Sequence, residues 1–216
     1  MRLNAKHLGA LLLLSSVGSV PMASADIIPY SAIGTPNPVV YTFTAAANGN
    51  VTAYFAGSAA AYDEQLGMLV NGVLSSSGFG LDNHSSALGQ SFDLGPVTAG
   101  DTLTFVVDVL SPPLGFIYSD PSMNTAFDID GSMGHNHVYS TPYTSTSPII
   151  DSIPAGTYVA FEDLQFPNSD FNYFDETFVF TNVATSTTVP EPGSMMLLGL
   201  GLAGLRGRRW LERGRA

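Results

Sequence analysis

The stretch FEDLQFPNSDFNYFDETFVF, residues 161 to 180, holds the densest set of side chains able to do chemistry. Glu162 and Asp163 close one strand-like run, and Asp170, Asn172 and Asp175 lie in the segment that leads to the next. Alternation at 170 and 172, followed by 175, points several oxygens to one side of an extended loop. Hard oxygen ligands of this kind suit calcium, which takes about six to eight of them. A loop between adjacent strands also brings its ends together, so Glu162 or Asp163 can meet Asp175. The competing reading is an Asx-rich turn whose side chains cap their own backbone.

A second stretch, FDIDGSMGHNH at 127 to 137, offers less. Asp128, Asp130 and Gly131 begin like an EF-hand loop, but the remaining ligand positions and the flanking helices are missing. His135 and His137 are spaced to place two imidazoles on one side of a strand for a transition metal, although turn and surface histidines share that spacing. His84 stands alone. Nucleophile-elbow, P-loop, dinucleotide-glycine and H-E-x-x-H patterns are all absent from the sequence, so a non-catalytic protein is expected. Paired carboxylates leave a glycoside hydrolase as an alternative, since sixteen acids in one domain supply many chance pairs.

The elements that must position these residues read as strands. Thr, Val, Tyr and Phe alternate between clusters of Gly, Asn, Asp, Pro and Ser, which predicts an all-β, antiparallel β-sandwich with jelly-roll or immunoglobulin-like topology left open. Residues 39 to 44 and 51 to 55 read as a strand pair across the turn at 47 to 50. Asn71-Gly72 between Met68-Leu69-Val70 and Val73-Leu74 signals a tight hairpin. Residues 102 to 109 place Leu103, Phe105, Val107 and Val109 on a core face, with Thr102, Thr104 and Asp108 opposite. Further strands are expected at 115 to 118, 157 to 161 and 177 to 181, the last in mid-sheet because both of its faces are apolar.

Charge is distributed unevenly. All seven Lys and Arg lie at positions 2, 6, 206, 208, 209, 213 and 215, whereas residues 26 to 188 hold sixteen of the 18 carboxylates. Such a body repels nucleic acid and anionic lipid, and self-repulsion works against its compact state. A solvated acidic surface or bound divalent cations would each answer the charge. Cysteine is absent, which rules out disulfides and thiolate chemistry.

Both ends carry a different kind of signal. Arg2 and Lys6, an apolar run from Leu8 to Leu14 and the small-residue pattern Ala23-Ser24-Ala25 read as a secretory signal peptide cleaved after Ala25. Near the other end, Gly193 to Leu205 is uncharged but would span only about 20 Å as a helix, against about 30 Å of hydrocarbon. Arg206, Arg208 and Arg209 suit cytoplasmic headgroups, with Trp210 at the interface. A short hydrophobic helix that only pauses in the membrane is expected, and it is the chain's one membrane contact. The order Val189-Pro190-Glu191-Pro192, apolar segment, arginine cluster resembles the PEP-CTERM sorting signal of Gram-negative bacteria. That resemblance implies processing by an exosortase and delivery to the cell surface or exopolysaccharide matrix.

The body carries its own resemblance. Tyr118-Ser119-Asp120, Asn124, Asp130-Gly131 and His137-Val138, followed by F-E-D at 161 to 163, S-D-F-N-Y at 169 to 173 and Asp175, are similar to the DUF4114 domain family. The family implies a β-sandwich with calcium binding, and Asp163, Asp170, Asn172 and Asp175 match its acidic loop. Asn172 departs from a common Asp, and Glu176-Thr177 are extra residues before the strand. The expected layout is a signal peptide at 1 to 25, a sandwich at 26 to 184, and a Thr/Ser-rich linker with sorting tail at 185 to 216. A calcium-dependent module for exopolysaccharide is the functional alternative, with Phe171-Asn172-Tyr173-Phe174 as its contact loop.

Overall fold

The computed structural model describes residues 27–131, 134–144 and 152–189. The cleavage pattern at Ala23 and Ala25 lies outside the described residues. So does the sorting tail from Pro190 onward, with Glu191, Pro192, Arg206, Arg208 and Arg209; Val189 is described and exposed. The described residues form two antiparallel sheets packed as a sandwich. One sheet runs β12 (Val183–Thr188), β1 (Val40–Ala45), β7 (Thr102–Ser111), β3 (Asp63–Val70), β4 (Val73–Leu74). Two short strands extend it, β5 (Gly80–Asp82) on β3 and β8 (Gly115–Tyr118) on β7. The facing sheet runs β6 (Ser91–Val97), β2 (Gly49–Ser58), β11 (Glu176–Thr181), β10 (Gly156–Phe161), β9 (Val138–Tyr143).

Strict alternation along β7 turns Leu103, Phe105, Val107 and Val109 into the core, where they meet Val51, Ala53, Phe178 and Phe180 of the opposite sheet. The contact is closest between Phe105 and Phe180, whose rings stack at 3.8 Å and 19°. Burying each ring stabilises the fold by about 1.5–3 kcal/mol, so this pair alone couples the sheets strongly. A smaller cluster of Ala56, Tyr143, Ile153, Tyr158, Ala160 and Val179 covers the outer face of the second sheet, with Ile28 packed on it. That cover explains why β11, in mid-sheet as its sequence predicts, is apolar on both sides. The Asn71-Gly72 hairpin also forms, with left-handed φ of 50° and 83° at its two turn residues.

Two expectations change. Residues 39 to 44 and 51 to 55 are not a strand pair, because β1 pairs with β12 and β7 while β2 pairs with β11 and β6. Both strands bury alternate residues in one core from opposite sides, and a period of two cannot tell a hairpin partner from a facing strand. The chain crosses between sheets here, and Asn182 ties the corner by accepting from Ala47 N–H at 2.8 Å and donating to Ala47 C=O at 3.0 Å. Residues 185 to 188, read as linker, instead continue β12, which pairs along six residues of β1 from Val40↔Thr188 to Ala45↔Val183. Its Thr and Ser side chains stay in solvent, so backbone pairing rather than burial makes it a strand. The one described helix is a 3-10 segment, Pro121–Ala126, and no described helix is long and apolar enough to cross a membrane.

A buried carboxylate site at one end of the sandwich

Neighbouring strands β10 and β11 bring the ends of the acidic loop together, since Phe161 pairs with Glu176 in the ladder. The pairing extends one step further, Asp175 N–H donating to Phe161 C=O at 3.1 Å. On the far side Glu162 N–H donates to His137 C=O at 2.9 Å. Glu162, Asp163 and Asp175 are thereby buried, each presenting an oxygen within 4.8 Å of the others. Asp170 is exposed and Asn172 half-buried, and both line a cleft of about 260 Å³ with Asp163, Asp175 and the segment Ala59 to Tyr62.

Backbone donors hold the carboxylates in place. Glu162 accepts from Leu164 N–H at 3.3 Å and Asn172 N–H at 3.0 Å. Asp175 accepts from Asp163 N–H at 3.1 Å. Asn172 donates to Asp170 at 3.0 Å and accepts from Phe174 N–H at 3.0 Å, so the capping turn weighed against a metal loop is also present. Phe171 and Tyr173 adopt left-handed φ of 55° and 53°, uncommon for bulky residues. Tyr173 is fully buried, and its hydroxyl accepts from Asn37 N–H at 2.8 Å and donates to Asn136 C=O at 3.3 Å. Tyr173 therefore anchors the loop from inside and is not a surface contact of a Phe171–Phe174 binding loop.

The electrostatics are one-sided. Burial, then the charge of Asp175 and Asp170, pushes Glu162 up to about 8. Burial and Asp175 push Asp163 up to about 7, and burial leads the rise of Asp175 to about 6. Two further acids that the loop pattern does not include share the site. Glu64 of β3 is driven to about 9 by burial and by Asp163, Asp175 and Glu162, and Glu176 is raised well above its ordinary value by burial and by Glu64. A carboxylate surrounded by carboxylates in low dielectric is held in its charged form only by a cation.

The histidines serve a different structure. His137 is buried, with Nε2 2.9 Å from Asp128 and Nδ1 2.9 Å from the Glu162 carbonyl oxygen. The ring thus bridges Asp128 to the backbone that follows β10. Burial pushes the Asp128 carboxyl up, but the hydrogen bond and charge of His137 and the N–H groups of His135 and Phe166 outweigh it and hold Asp128 below its ordinary value. His135 stacks on Phe166 at 3.9 Å and meets Asp130 at 2.6 Å. Each imidazole is thus engaged by its own carboxylate, and among the described residues neither joins a group able to hold a metal.

Residues 188–209 match the family model of the PEP-CTERM protein-sorting motif. No curated protein and no solved structure matches the chain. The motif implies an exported protein, processed by an exosortase and sorted to the surface.

Proposed function

We propose that this chain is a non-catalytic protein of the cell surface or extracellular matrix of a Gram-negative bacterium, whose sandwich is completed by calcium at Glu162, Asp163 and Asp175. The observation that carries the reading is the meeting of three buried carboxylate oxygens within 4.8 Å in a body that has no lysine or arginine. Calcium fits the donor set better than zinc or magnesium. Zinc favours nitrogen and sulfur ligands and finds no cysteine, and magnesium keeps several waters in a strict octahedron. Asp170 and Asn172 stand at the mouth of the same cleft, where they complete the oxygen set directly or through water. The likeness to the DUF4114 family, carried by residues 118 to 180, supports the same reading.

In this account the exosortase acts on the tail after the body has crossed the inner membrane, and calcium in the outer medium then sets the acidic end. Fractionating cells and following the chain by mass spectrometry tests the sorting. A surface or matrix fraction lacking the arginine cluster is expected, and a full-length product retained in the cytosol with both ends intact would contradict it.

A second reading, a module for exopolysaccharide, draws on a different face. Phe116 is 44% exposed on β8 and stacks on Phe79 at 5.9 Å and 19°, with Tyr118 at 6.2 Å from Phe116. Gly67 makes room for that ring, since a Cβ there would stand 2.8 Å from Phe79. Glycan-array binding lost in Phe116→Ala would favour this module, and silence across neutral and acidic glycans would count against it.

A further inference from the structure

Glu64 and Glu176 are fully buried, and none of their four carboxylate oxygens has a hydrogen-bond partner. They come from opposite sheets. Along β3, Glu64 shares its inward face with Leu66 and Met68, and along β11, Glu176 precedes the core residues Phe178 and Phe180. The polar groups around them are committed elsewhere. Asn83 accepts from Glu64 N–H at 2.9 Å and donates to Tyr62 C=O at 2.7 Å, fixing the wall without donating to either carboxylate. Asp82 accepts from His84 and Ser85 N–H groups in its own loop. Between Lys6 and Arg206 the chain supplies no lysine or arginine to neutralise the pair.

Protonation alone does not resolve this arrangement. A neutral carboxylic acid carries an O–H that itself needs an acceptor, and neither glutamate has one. Leaving two charged carboxylates unpaired in the interior is more costly still. A divalent ion answers both problems, because two carboxylates offer up to four oxygens toward the roughly six to eight that calcium takes.

We propose that Glu64 and Glu176 clamp a second hard divalent cation, of the calcium class, between the two sheets. This rests on the reading that Glu162, Asp163 and Asp175 hold the first. The two carboxylates are tied to one place in the fold, since Asn83, which accepts from Glu64 N–H, also donates to Ser58 Oγ at 3.5 Å, and Ser58 is the ladder partner of Glu176. The second ion joins β3 of one sheet to β11 of the other at the end of the core, whereas the first organises a loop.

Native mass spectrometry of the full-length chain, titrated with calcium alone, tests the count. Two ions per chain are expected, falling to one in E64Q/E176Q and with the single isosteric changes E64Q and E176Q as the fallback should the double variant not fold. A wild-type chain that binds one ion, lost in D175N but kept in E64Q/E176Q, overturns this inference and leaves the loop site standing. Two ions retained by folded E64Q/E176Q overturn it as well. A chain that binds none overturns both sites together, and the wild-type count needs no variant to be decisive.

Discussion

His137 and Asp128 show how a buried charge is satisfied when the chain supplies its own partner, and the carboxylates beside them show the opposite. Asp128→Ala removes the buried acceptor that faces His137 Nε2 and the His135 and Phe166 N–H groups, and leaving a buried donor unsatisfied costs about 1–3 kcal/mol. Denaturant unfolding should therefore show a loss of that order, with no change in calcium stoichiometry. Asp175→Asn should act in the other direction. It removes one repelling charge while keeping an oxygen to accept from Asp163 N–H, so it is expected to raise the midpoint of metal-free unfolding and to abolish most of the gain on adding calcium. Thermal scans with chelator and with calcium check both halves of that expectation. The sequence made Glu162, Asp163 and Asp175 legible because they crowd the two ends of one loop between strand-like runs. Glu64 was not visible as a site residue because β3 lies far along the chain from the acidic run, and Glu176, inside that run, read as an extra residue before its strand. Their signal was the period of two, which places Glu64 with Leu66 and Met68 and Glu176 with Phe178 and Phe180.

At the level of elements, strands were legible wherever apolar residues recur at every second position, as Leu103, Phe105, Val107 and Val109 do along β7, and wherever a turn demands left-handed backbone, as at Asn71-Gly72. Pairing was less legible. A residue pattern records that Phe43 and Phe55 face a core, but not that they face it from opposite sheets. Nor could composition reveal β12, whose Thr and Ser residues bury little and are held by backbone bonds to β1. The junction of β9, β10 and β11 gives a prediction at this scale. A Cβ on Gly156 would stand 2.3 Å from the Phe180 carbonyl oxygen, a backbone atom that cannot rotate away. Gly156→Ala should thus push β10 off β11 and destabilise the sandwich by about 1–3 kcal/mol, the usual range for overpacking, readable as a lower denaturant midpoint. Because β10 leads directly into Glu162 and Asp163, the same variant is expected to weaken calcium binding.

For the whole molecule, the separation of charge is the dominant fact. Every lysine and arginine lies at the ends, so the buried carboxylate cluster of the body has no lysine or arginine to partner it. The metal-free chain should then have an inverted pH dependence. A carboxyl whose folded value is raised binds a proton that the unfolded chain has released, so stability falls as pH rises. Stability is full below the ordinary carboxylate range near pH 4 and is lost as pH climbs through about 6 for Asp175, 7 for Asp163 and 8 for Glu162. Asp128 works with the opposite sign, losing its contribution only as pH falls below its ordinary value, and one residue does not reverse the trend of the cluster. Calcium displaces those protons and should flatten the profile between pH 5 and pH 8.

The most direct measurement is thermal unfolding of the full-length chain at neutral pH, titrated with calcium and compared with magnesium and with chelator. The midpoint is expected to begin rising at about 0.1–1 mM calcium, the dissociation range of extracellular modules, and to climb with the logarithm of concentration above it. At a hundredfold excess over the dissociation constant a single ion adds about 2.7 kcal/mol, which for a chain of this size is about 5–10 °C. Magnesium should give a smaller shift. A midpoint that stays the same in chelator and in excess calcium would contradict the claim that the buried carboxylates are a cation site.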